Sequence, residues 1–168
     1  MKSLLIRLRT AVFTWLLMRT AKVAGPGCRA NGRARAANLY LGKDCHFNGM
    51  KVYGSGKVEV GDHFHSGTGL EIMTTIHNYH GKMLPYDETV IVKDVVIGKN
   101  VWIGMDVMIL GGVTIGDGAI IQARSVVARS IPPLAIAGGH PAVPFSERDA
   151  GHYRALAGDQ QAGGSGQD

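Results

Sequence analysis

The chain has 168 residues, of which 45% are hydrophobic and 18% charged, so it suits one folded domain and is not a wholly disordered chain. Its two cysteines are too few for a disulfide framework or a four-cysteine zinc site, and no apolar run approaches the ~18 residues of a transmembrane helix. The net charge of +5 comes from one end, because residues 1–35 hold eight Lys or Arg and no acid, whereas the remainder holds ten basic and thirteen acidic residues. We therefore expect no nucleic-acid partner for the body of the protein.

The first predicted element is a short apolar helix over residues 3–18, within a basic N-terminal segment and linker that we place at residues 1–35. Three interpretations are open: a helix that packs on the body or on a neighbouring subunit, a basic amphipathic helix that lies on a membrane surface through residues 1–24, and a secretory signal whose cleavage region Arg19 and Lys22 do not suit. The apolar side chains at helical spacing are Leu5, Leu8, Val12, Trp15 and Leu16.

A six-residue repeat occupies the second half of the chain. From Ile91 the sequence divides without a gap into IVKDVV, IGKNVW, IGMDVM, ILGGVT, IGDGAI, IQARSV and VARSIP, which ends at Pro132. The first position of each hexad is Ile or Val, and the fifth is mostly Val. A fixed period of this kind indicates a solenoid.

Each hexad reads as a short strand and a turn. Stacking the coils ~4.8 Å apart lets every strand pair in parallel with its neighbours above and below. The first and fifth positions then point into the axis, and Gly, Asn or Asp between them supplies the turn. Three hexads make one triangular coil. The pattern extends upstream to Leu41 less regularly, and residues 49–57 break its register.

Two segments lie outside the repeat. Residues 78–90 predict a loop extruded from the coil, because Pro85 and the paired acids Asp87 and Glu88 interrupt the hexads. The tail, residues 146–168, is rich in Gly, Gln and Asp, and we expect it to be flexible.

The hexads, together with three short motifs, resemble the hexapeptide-repeat acyltransferases, and within them the maltose, galactoside and polysaccharide O-acetyltransferases. The motifs are Thr74–His80 before the loop, Val101–Gly104 after it, and Val127–Pro133 followed by Ala137–Pro141. The resemblance covers roughly residues 40–145 and implies a mainly β fold: a left-handed parallel β-helix, here at residues 36–145, with a short N-terminal helix and an extruded loop.

The same resemblance implies the activity. Such enzymes are usually homotrimers in which acetyl-CoA and the acceptor meet between adjacent subunits, without a metal. His77 matches the catalytic histidine, whose role is general base, since a neutral imidazole can take the proton of an attacking hydroxyl. His63, His65 and His80 are alternatives that suit surface or turn positions, and Glu71 could orient an imidazole.

The resemblance also carries site residues. Asn48 falls where the family often binds the acceptor, and Tyr79, Tyr86 and Asp87 on the loop are further candidates for acceptor contact. Trp102 matches the tryptophan beside the acyl end of CoA, and the backbone near Gly104 or Met105 is our candidate oxyanion donor. The remaining residues expected to line the CoA groove or meet its phosphates are Gly111, Gly112, Ala123, Arg124, Ala128 and Arg129.

Two departures from the family pattern stand out, Met105 in place of a small polar residue and His140 in the closing Gly-Gly-His-Pro. We expect a cytoplasmic acetyl-CoA-dependent O-acetyltransferase that acts on a sugar or glycan intermediate, in peripheral contact with the inner face of the membrane. The alternatives are an N-acetyltransferase for an amino sugar or a xenobiotic amine, a zinc enzyme of the carbonic-anhydrase type, which needs three converging histidines, and a non-catalytic trimeric scaffold.

Overall fold

The computed structural model of the protein describes residues 2–162. Two helices flank a long series of short strands. The helices are α1, Lys2–Thr20, and α2, Ala150–Ala162. The strands are β1 Val23–Ala24, β2 Arg29–Ala30, β3 Ala34–Arg35, β4 Leu39–Leu41, β5 His46–Phe47, β6 Met50–Tyr53, β7 Val58–Val60, β8 His65–Ser66, β9 Leu70–Met73, β10 Thr75–His77, β11 Val90–Val92, β12 Val95–Ile97, β13 Trp102–Ile103, β14 Met108–Leu110, β15 Thr114–Ile115, β16 Ile120–Ile121, β17 Val126–Val127, β18 Ala135–Gly139 and β19 Ala142–Glu147.

Apart from the pair β10–β11, the strands form three sheets around one axis, parallel except where β19 pairs antiparallel with β18. Sheet A has the order β1-β4-β7-β12-β15, sheet B runs β19-β18-β16-β13-β8-β5-β2, and sheet C runs β17-β14-β9-β6-β3. From β1 to β17, leaving out β10 and β11, successive strands fall in sheets A, B and C in turn, so three strands complete one coil of a β-helix of about six turns. The predicted fold class, a mainly β parallel helix with a short N-terminal helix and an extruded loop, is confirmed.

The core is a column of side chains from the two inward positions of the hexads. The first-position residues from Ile97 to Val127 and the fifth-position residues from Val95 to Ile131 are all buried. Burial of an aliphatic side chain contributes about 1.5–3 kcal/mol. Repetition of the same two positions therefore builds one continuous core, as the sequence predicts.

The corners between the sheets explain the turn residues of the repeat. The fourth position of successive hexads lies at a positive φ: 56° at Asn100, 53° at Asp106, 87° at Gly112, 71° at Gly118 and 59° at Arg124. Gly, Asn and Asp tolerate this left-handed conformation better than other residues. We call the corners AB (residues 42–45, 61–64, 98–101 and 116–119), BC (residues 48–49, 67–69, 104–107 and 122–125) and CA (residues 54–57, 111–113 and 128–130).

The first predicted hexad is wrong in part. Ile91 lies in β11, which pairs antiparallel with β10 in a hairpin that leaves the CA corner, and the coil resumes only at Val95. The hairpin extends beyond the predicted loop of residues 78–90 on both sides, from Thr75 to Val92. The six-residue spacing runs unchanged from β11 into the coil. The sequence therefore gives no sign of the boundary between the hairpin and the coil.

Both ends of the helix differ from the prediction. Residues 23–35, predicted as a linker, carry β1, β2 and β3, which form the first coil below β4, β5 and β6. The predicted flexible tail contains the end of β19 and all of α2, while residues 163–168 lie outside the described residues. Asp149 caps α2, where its Oδ1 accepts a hydrogen bond of 2.6 Å from the His152 N–H.

Helix α1 covers the open end of the first coil. Leu17 is fully buried there and Phe13 packs against the core. The Thr14 hydroxyl accepts a hydrogen bond of 3.0 Å from the Ala30 N–H. Among the residues described, neither helix is long and apolar enough to cross a lipid bilayer.

Candidate active site

The hairpin β10–β11 holds His77 at the CA corner. Thr74 fixes the point where the hairpin leaves the coil. Its buried hydroxyl accepts a hydrogen bond from the Gly56 N–H at 3.1 Å and donates one to the Tyr53 carbonyl at 3.0 Å. At the same point the Lys93 N–H donates a hydrogen bond of 2.8 Å to the Thr74 carbonyl. His77 therefore stands three residues beyond an anchored point of the coil, and its side chain is exposed.

The imidazole of His77 stacks on the ring of Tyr86. The two ring centroids are 3.8 Å apart and the planes are inclined by 10°. Tyr86 lies on the connection between β10 and β11, so the loop turns back over the histidine. A stacked ring restricts the rotation of the imidazole, which makes Tyr86 a positioning residue for His77.

Asp87 shapes the loop that carries Tyr86. Its carboxylate accepts hydrogen bonds from the backbone N–H and the hydroxyl of Thr89, and from the Lys82 N–H at 3.0 Å. These hydrogen bonds, that from Thr89 above all, lower the pKa of Asp87. Tyr79, by contrast, is exposed and lies against the ring of His80 at 4.3 Å.

The hairpin has two faces. Ile76 and Ile91, which lie opposite each other, line a cleft of about 270 Å³ together with Gly111 and Ala128, two residues expected in the CoA groove. Side chains alternate along a strand, so His77 is on the other face of the hairpin. In one chain the histidine thus points away from the cleft that Gly111 and Ala128 line.

Of the backbone N–H groups expected to face CoA, some already donate hydrogen bonds within the protein and others do not. The Gly104 N–H donates to the Ile121 carbonyl and the Gly112 N–H donates to the Asp94 carbonyl, both at 2.8 Å. These two amides bind neighbouring backbone, which corrects their expected use as free donors. The N–H groups of Met105, Gly111 and Ala123 make no hydrogen bond to any residue that the structure describes.

Gly104 has a packing reason as well. A Cβ atom there would lie 2.7 Å from the Cα of Ala123 in the next coil. Glycine at this position therefore permits the coils to stack, whatever else it does. Met105, the departure from the family pattern, is 55% exposed at the BC corner.

The two arginines expected near CoA phosphates lie at different corners. Arg124, at the BC corner, is exposed and its Nε is 3.8 Å from a carboxylate oxygen of Asp106. Arg129, at the CA corner, is exposed and forms no ion pair with the described side chains. Arg129 therefore remains available to an anion, whereas Arg124 is partly engaged.

Trp102 has a neighbour that the sequence did not predict. It projects from sheet B, is 51% exposed, and lines a cavity of about 410 Å³ together with Arg148, which precedes α2, and with His152 and Tyr153 of α2. Part of the cover over this tryptophan thus comes from its own chain. The sequence signal that could have predicted α2 is Asp149, a helix-capping residue ahead of an alanine-rich stretch.

Asn48 lies at the BC corner, where its Nδ2 donates to the Ser66 carbonyl at 2.8 Å. Its Oδ1 accepts a hydrogen bond of 3.1 Å from Asn31, and Asn31 accepts one of 2.7 Å from Thr10 on α1. Each group of an amide side chain can make one more hydrogen bond. Asn48 is therefore held in position, while its amide can still form further hydrogen bonds.

The other histidines do not join His77. His63 is 3.5 Å from Asp44 at the AB corner, and His46 and His65 meet edge to face on sheet B with ring centroids 6.3 Å apart. Burial, then the nearby Arg29 guanidinium, lowers the pKa of His46. Across residues 2–162, no three His, Cys, Asp or Glu side chains are grouped so that they could hold a metal ion.

The expected site residues thus form two groups in one chain. One group surrounds the hairpin at the CA corner, with His77, Tyr86 and Arg129, and the other lies at the BC corner and on sheet B. The two corners are separated by a strand of sheet C, roughly 13 Å of extended chain. The groups are, by corner, His77, Tyr79, Tyr86, Asp87, Gly111, Gly112, Ala128 and Arg129 at CA, and Asn48, Trp102, Gly104, Met105, Ala123 and Arg124 at or near BC.

Residues 94–129 match the family described as bacterial transferase hexapeptide (six repeats). With the coils described above, this makes the protein a hexapeptide-repeat β-helix protein.

Three similar proteins extend the comparison. A galactoside O-acetyltransferase of Escherichia coli is 32% identical over 121 residues, which are 70% of this chain and 59% of that enzyme. A galactoside acetyltransferase solved in complex with coenzyme A superposes with a TM-score of 0.67 and 25% identity, over 82% of this chain and 70% of that one. A hexapeptide-repeat acetyltransferase from Vibrio cholerae gives 0.64 and 25%, over 78% and 77%. The chain spans between a quarter and three fifths of the length of the curated relatives that it matches.

Proposed function

We propose that the protein is an acetyl-CoA-dependent O-acetyltransferase that modifies a hydroxyl group of a sugar or glycan intermediate. The observation that carries the proposal is His77, exposed at an anchored hairpin and held by the stack on Tyr86. The similar proteins support it, since they include an O-acetyltransferase for galactosides and an acetyltransferase bound to coenzyme A.

His77 acts as the general base. Its neutral imidazole accepts the proton of the acceptor hydroxyl as the oxygen attacks, and later returns that proton to the departing thiolate. Proton transfer by a positioned side chain contributes typically about 10²–10⁴-fold. The thioester of acetyl-CoA supplies the activated acyl carbon.

The residues present fit acetyl-CoA. The free amides of Gly111 and Ala123 can donate to the amide oxygens of pantetheine, and Ala128 leaves space in the cleft. Arg129, assisted by Arg124, suits the phosphates, and Trp102 the acyl end. With the Gly104 amide engaged, the free N–H of Met105 is the oxyanion donor that we propose.

The acceptor side of the site consists of Asn48, Tyr79 and Tyr86. The Asn48 amide can still donate one hydrogen bond to a sugar hydroxyl and accept one from it, beyond the hydrogen bonds that it already makes. Tyr79, 59% exposed on the loop, offers a ring face for a sugar. Asp87, proposed at first as an acceptor contact, supports this surface by holding the loop.

We propose a homotrimer with the sites between subunits. His77 faces away from the cleft of its own chain, and the BC group lies a strand away from it. A second copy that brings its BC corner to the hairpin joins the two groups in one cleft. This arrangement accounts for an exposed His77 and an exposed Met105.

The test is release of free thiol from acetyl-CoA with a panel of sugars, lipid-linked glycans and amines. We expect acceptor-dependent release that falls about 100-fold or more in His77→Ala, while His80→Ala, the matched control three residues away, keeps the rate. Alkaline hydroxylamine then cleaves an ester product and leaves an amide intact. Acceptor-dependent release that survives His77→Ala, or an amide product, contradicts the proposal, and absent CoA binding favours a scaffold.

We also propose peripheral contact with the cytoplasmic face of the membrane through residues 1–24. Helix α1 exposes Leu4, Leu5, Ile6, Leu8 and Trp15, each by more than half, beside Arg7, Arg9 and Arg19. Exposed apolar and basic side chains on one helix suit the surface of an anionic bilayer.

Sedimentation with vesicles that contain phosphatidylglycerol tests this contact. Leu5→Ser/Leu8→Ser should weaken binding about tenfold or more, because two leucines leave the acyl region. Val143→Ser/Phe145→Ser, equally exposed on β19, is the control. Equal binding of the two double variants would contradict a role for α1.

A further inference from the structure

A basic groove, distinct from the hairpin cleft, lies at the BC corner of the first coils. It measures about 280 Å³ and is lined by Arg33, Arg35, Lys51, Gly49, Gly69 and Glu71. We call it the basic notch.

The notch exists because one corner is a residue short. The inward residues Phe47 and Met50, which flank that corner, are three positions apart, whereas Ser66 and Leu70 in the coil above are four apart, as in the regular hexads. The short corner is completed by Gly49. A Cβ added there would find no heavy atom nearer than 3.9 Å, so the missing side chain leaves open space.

The short corner also frees a backbone donor. At the same corner of the higher coils, the Asp106 N–H donates to the Thr68 carbonyl at 2.8 Å and the Arg124 N–H donates to the Met105 carbonyl at 2.7 Å. At the matching position, the Gly69 N–H makes no hydrogen bond within residues 2–162. An N–H group that lines a groove without a partner is a donor for a bound ligand.

The side chains of the notch are predominantly cationic. Arg35 and Lys51 are neighbours across β3 and β6, and Lys51 neighbours Glu71 across β6 and β9. Neither arginine nor Lys51 forms an ion pair with a described side chain. The single carboxylate, Glu71, accepts a hydrogen bond of 2.8 Å from the Tyr53 hydroxyl. Two guanidinium groups beside a lysine match the charge and geometry of phosphate oxygens.

The notch adjoins the proposed acceptor residue. Asn48 precedes Gly49 in the short corner, and the hydrogen bonds from Asn48 through Asn31 to Thr10 lead from that corner to α1. A ligand that occupies the notch therefore lies next to Asn48, which Asn31 connects to α1.

We propose that the basic notch binds a phosphate or diphosphate group of the acceptor, so that the protein acts on a phosphate-linked sugar. The inference rests on the proposed function. The shared chemistry, a sugar diphosphate, has two sources: a soluble nucleotide or a membrane lipid.

The test titrates inorganic pyrophosphate into the full chain saturated with CoA, at about 0.15 M salt to screen weak surface attraction. Saturation with CoA first occupies the residues that bind the phosphates of CoA, so that pyrophosphate cannot bind there. Arg33→Gln/Arg35→Gln should weaken pyrophosphate binding about tenfold or more, because hydrogen bonds from a charged group contribute more to binding than neutral ones. Glu71→Gln should strengthen it, since a carboxylate repels the anion. Lys99→Gln/Arg154→Gln removes the same charge from exposed sites elsewhere and should leave binding unchanged.

Two further arms identify the source. Uridine diphosphate serves for a soluble carrier, and a polyprenyl diphosphate in phosphatidylcholine vesicles serves for a lipid carrier, with plain vesicles as the control. Binding of any of these that Arg33→Gln/Arg35→Gln abolishes supports the proposal. If CoA binds but none of the three does, or if the double variant binds them as wild type does, the inference is overturned while the proposed function stands. Loss of CoA binding in wild type overturns both.

Discussion

In the proposed reaction, the orientation of the His77 imidazole decides whether it can take the proton of the acceptor hydroxyl. His77 is exposed at the end of a strand, where an unrestrained side chain would sample several rotamers. The stack on Tyr86 limits that freedom. The ring, and not the phenol hydroxyl, supplies the restraint, and this distinction is testable.

We predict that Tyr86→Phe keeps the turnover of wild type, because the ring stack survives. Tyr86→Leu should lower kcat about two- to tenfold, the range expected for a lost aromatic pair. Steady-state kinetics with CoA titration measures both. Unchanged CoA affinity together with lower kcat indicates positioning, whereas equal kcat for Leu and Phe contradicts it.

At this scale the sequence locates candidate side chains but not the partners of backbone donors. His77 stands in a motif beside the loop, and its role and that of Asn48 stay predictions. The hydrogen bonds of the Gly104 and Gly112 amides were not predictable, because each bonds to a carbonyl in another coil or corner. The sequence likewise did not show that Asp87 accepts hydrogen bonds from Lys82 and Thr89 within its own loop, and its contact with the acceptor stays a prediction.

Among the elements, the hexads were predictable and the caps were not. A period of six points Ile97, Ile103 and Ile109 inward from the three sheets of one coil, whatever lies above or below. The first coil keeps the six-residue spacing, with Ala24, Ala30 and Ala36 at one inward position and Cys28 and Ala34 at the other. Its inward side chains are small instead of Ile or Val, so the pattern is hard to recognise from the sequence. Pairing with β4, β5 and β6 makes β1, β2 and β3 strands, which is a tertiary effect.

Helix α1 closes this first coil, so its buried residue should be worth much more than its exposed ones. We predict that Leu17→Ala lowers the free energy of unfolding by about 2–5 kcal/mol, the cost of a core cavity. Leu8→Ala, 61% exposed on the same helix, should change it by less than about 0.5 kcal/mol. Urea unfolding at fixed protein concentration measures both. Equal values would mean that α1 does not cap the core.

At the scale of the whole molecule, the proposed site draws on two separate corners of the coil. The hairpin of one chain turns His77 away from the cleft that Gly111 and Ala128 line. Ala123, which we propose contacts pantetheine, lies at the BC corner, at the opposite end of sheet C. The proposed site therefore needs a second copy to bring His77 and Ala123 together.

The most direct measurement is complementation between two inactive variants. His77→Ala removes the base, and Ala123→Phe fills the groove at the other corner. Each variant alone should be nearly inactive. After the two are unfolded, mixed in equal amounts and refolded together, random assembly should make about a quarter of the sites complete, because each site draws one half from each of two chains.

Activity near a quarter of refolded wild type is the result that we predict. Wild type carried through the same cycle corrects for recovery, and each variant refolded alone sets the background. If the mixture shows only that background although mixed oligomers have formed, then every site is contained in one chain. That result would contradict the assembly of the site between subunits.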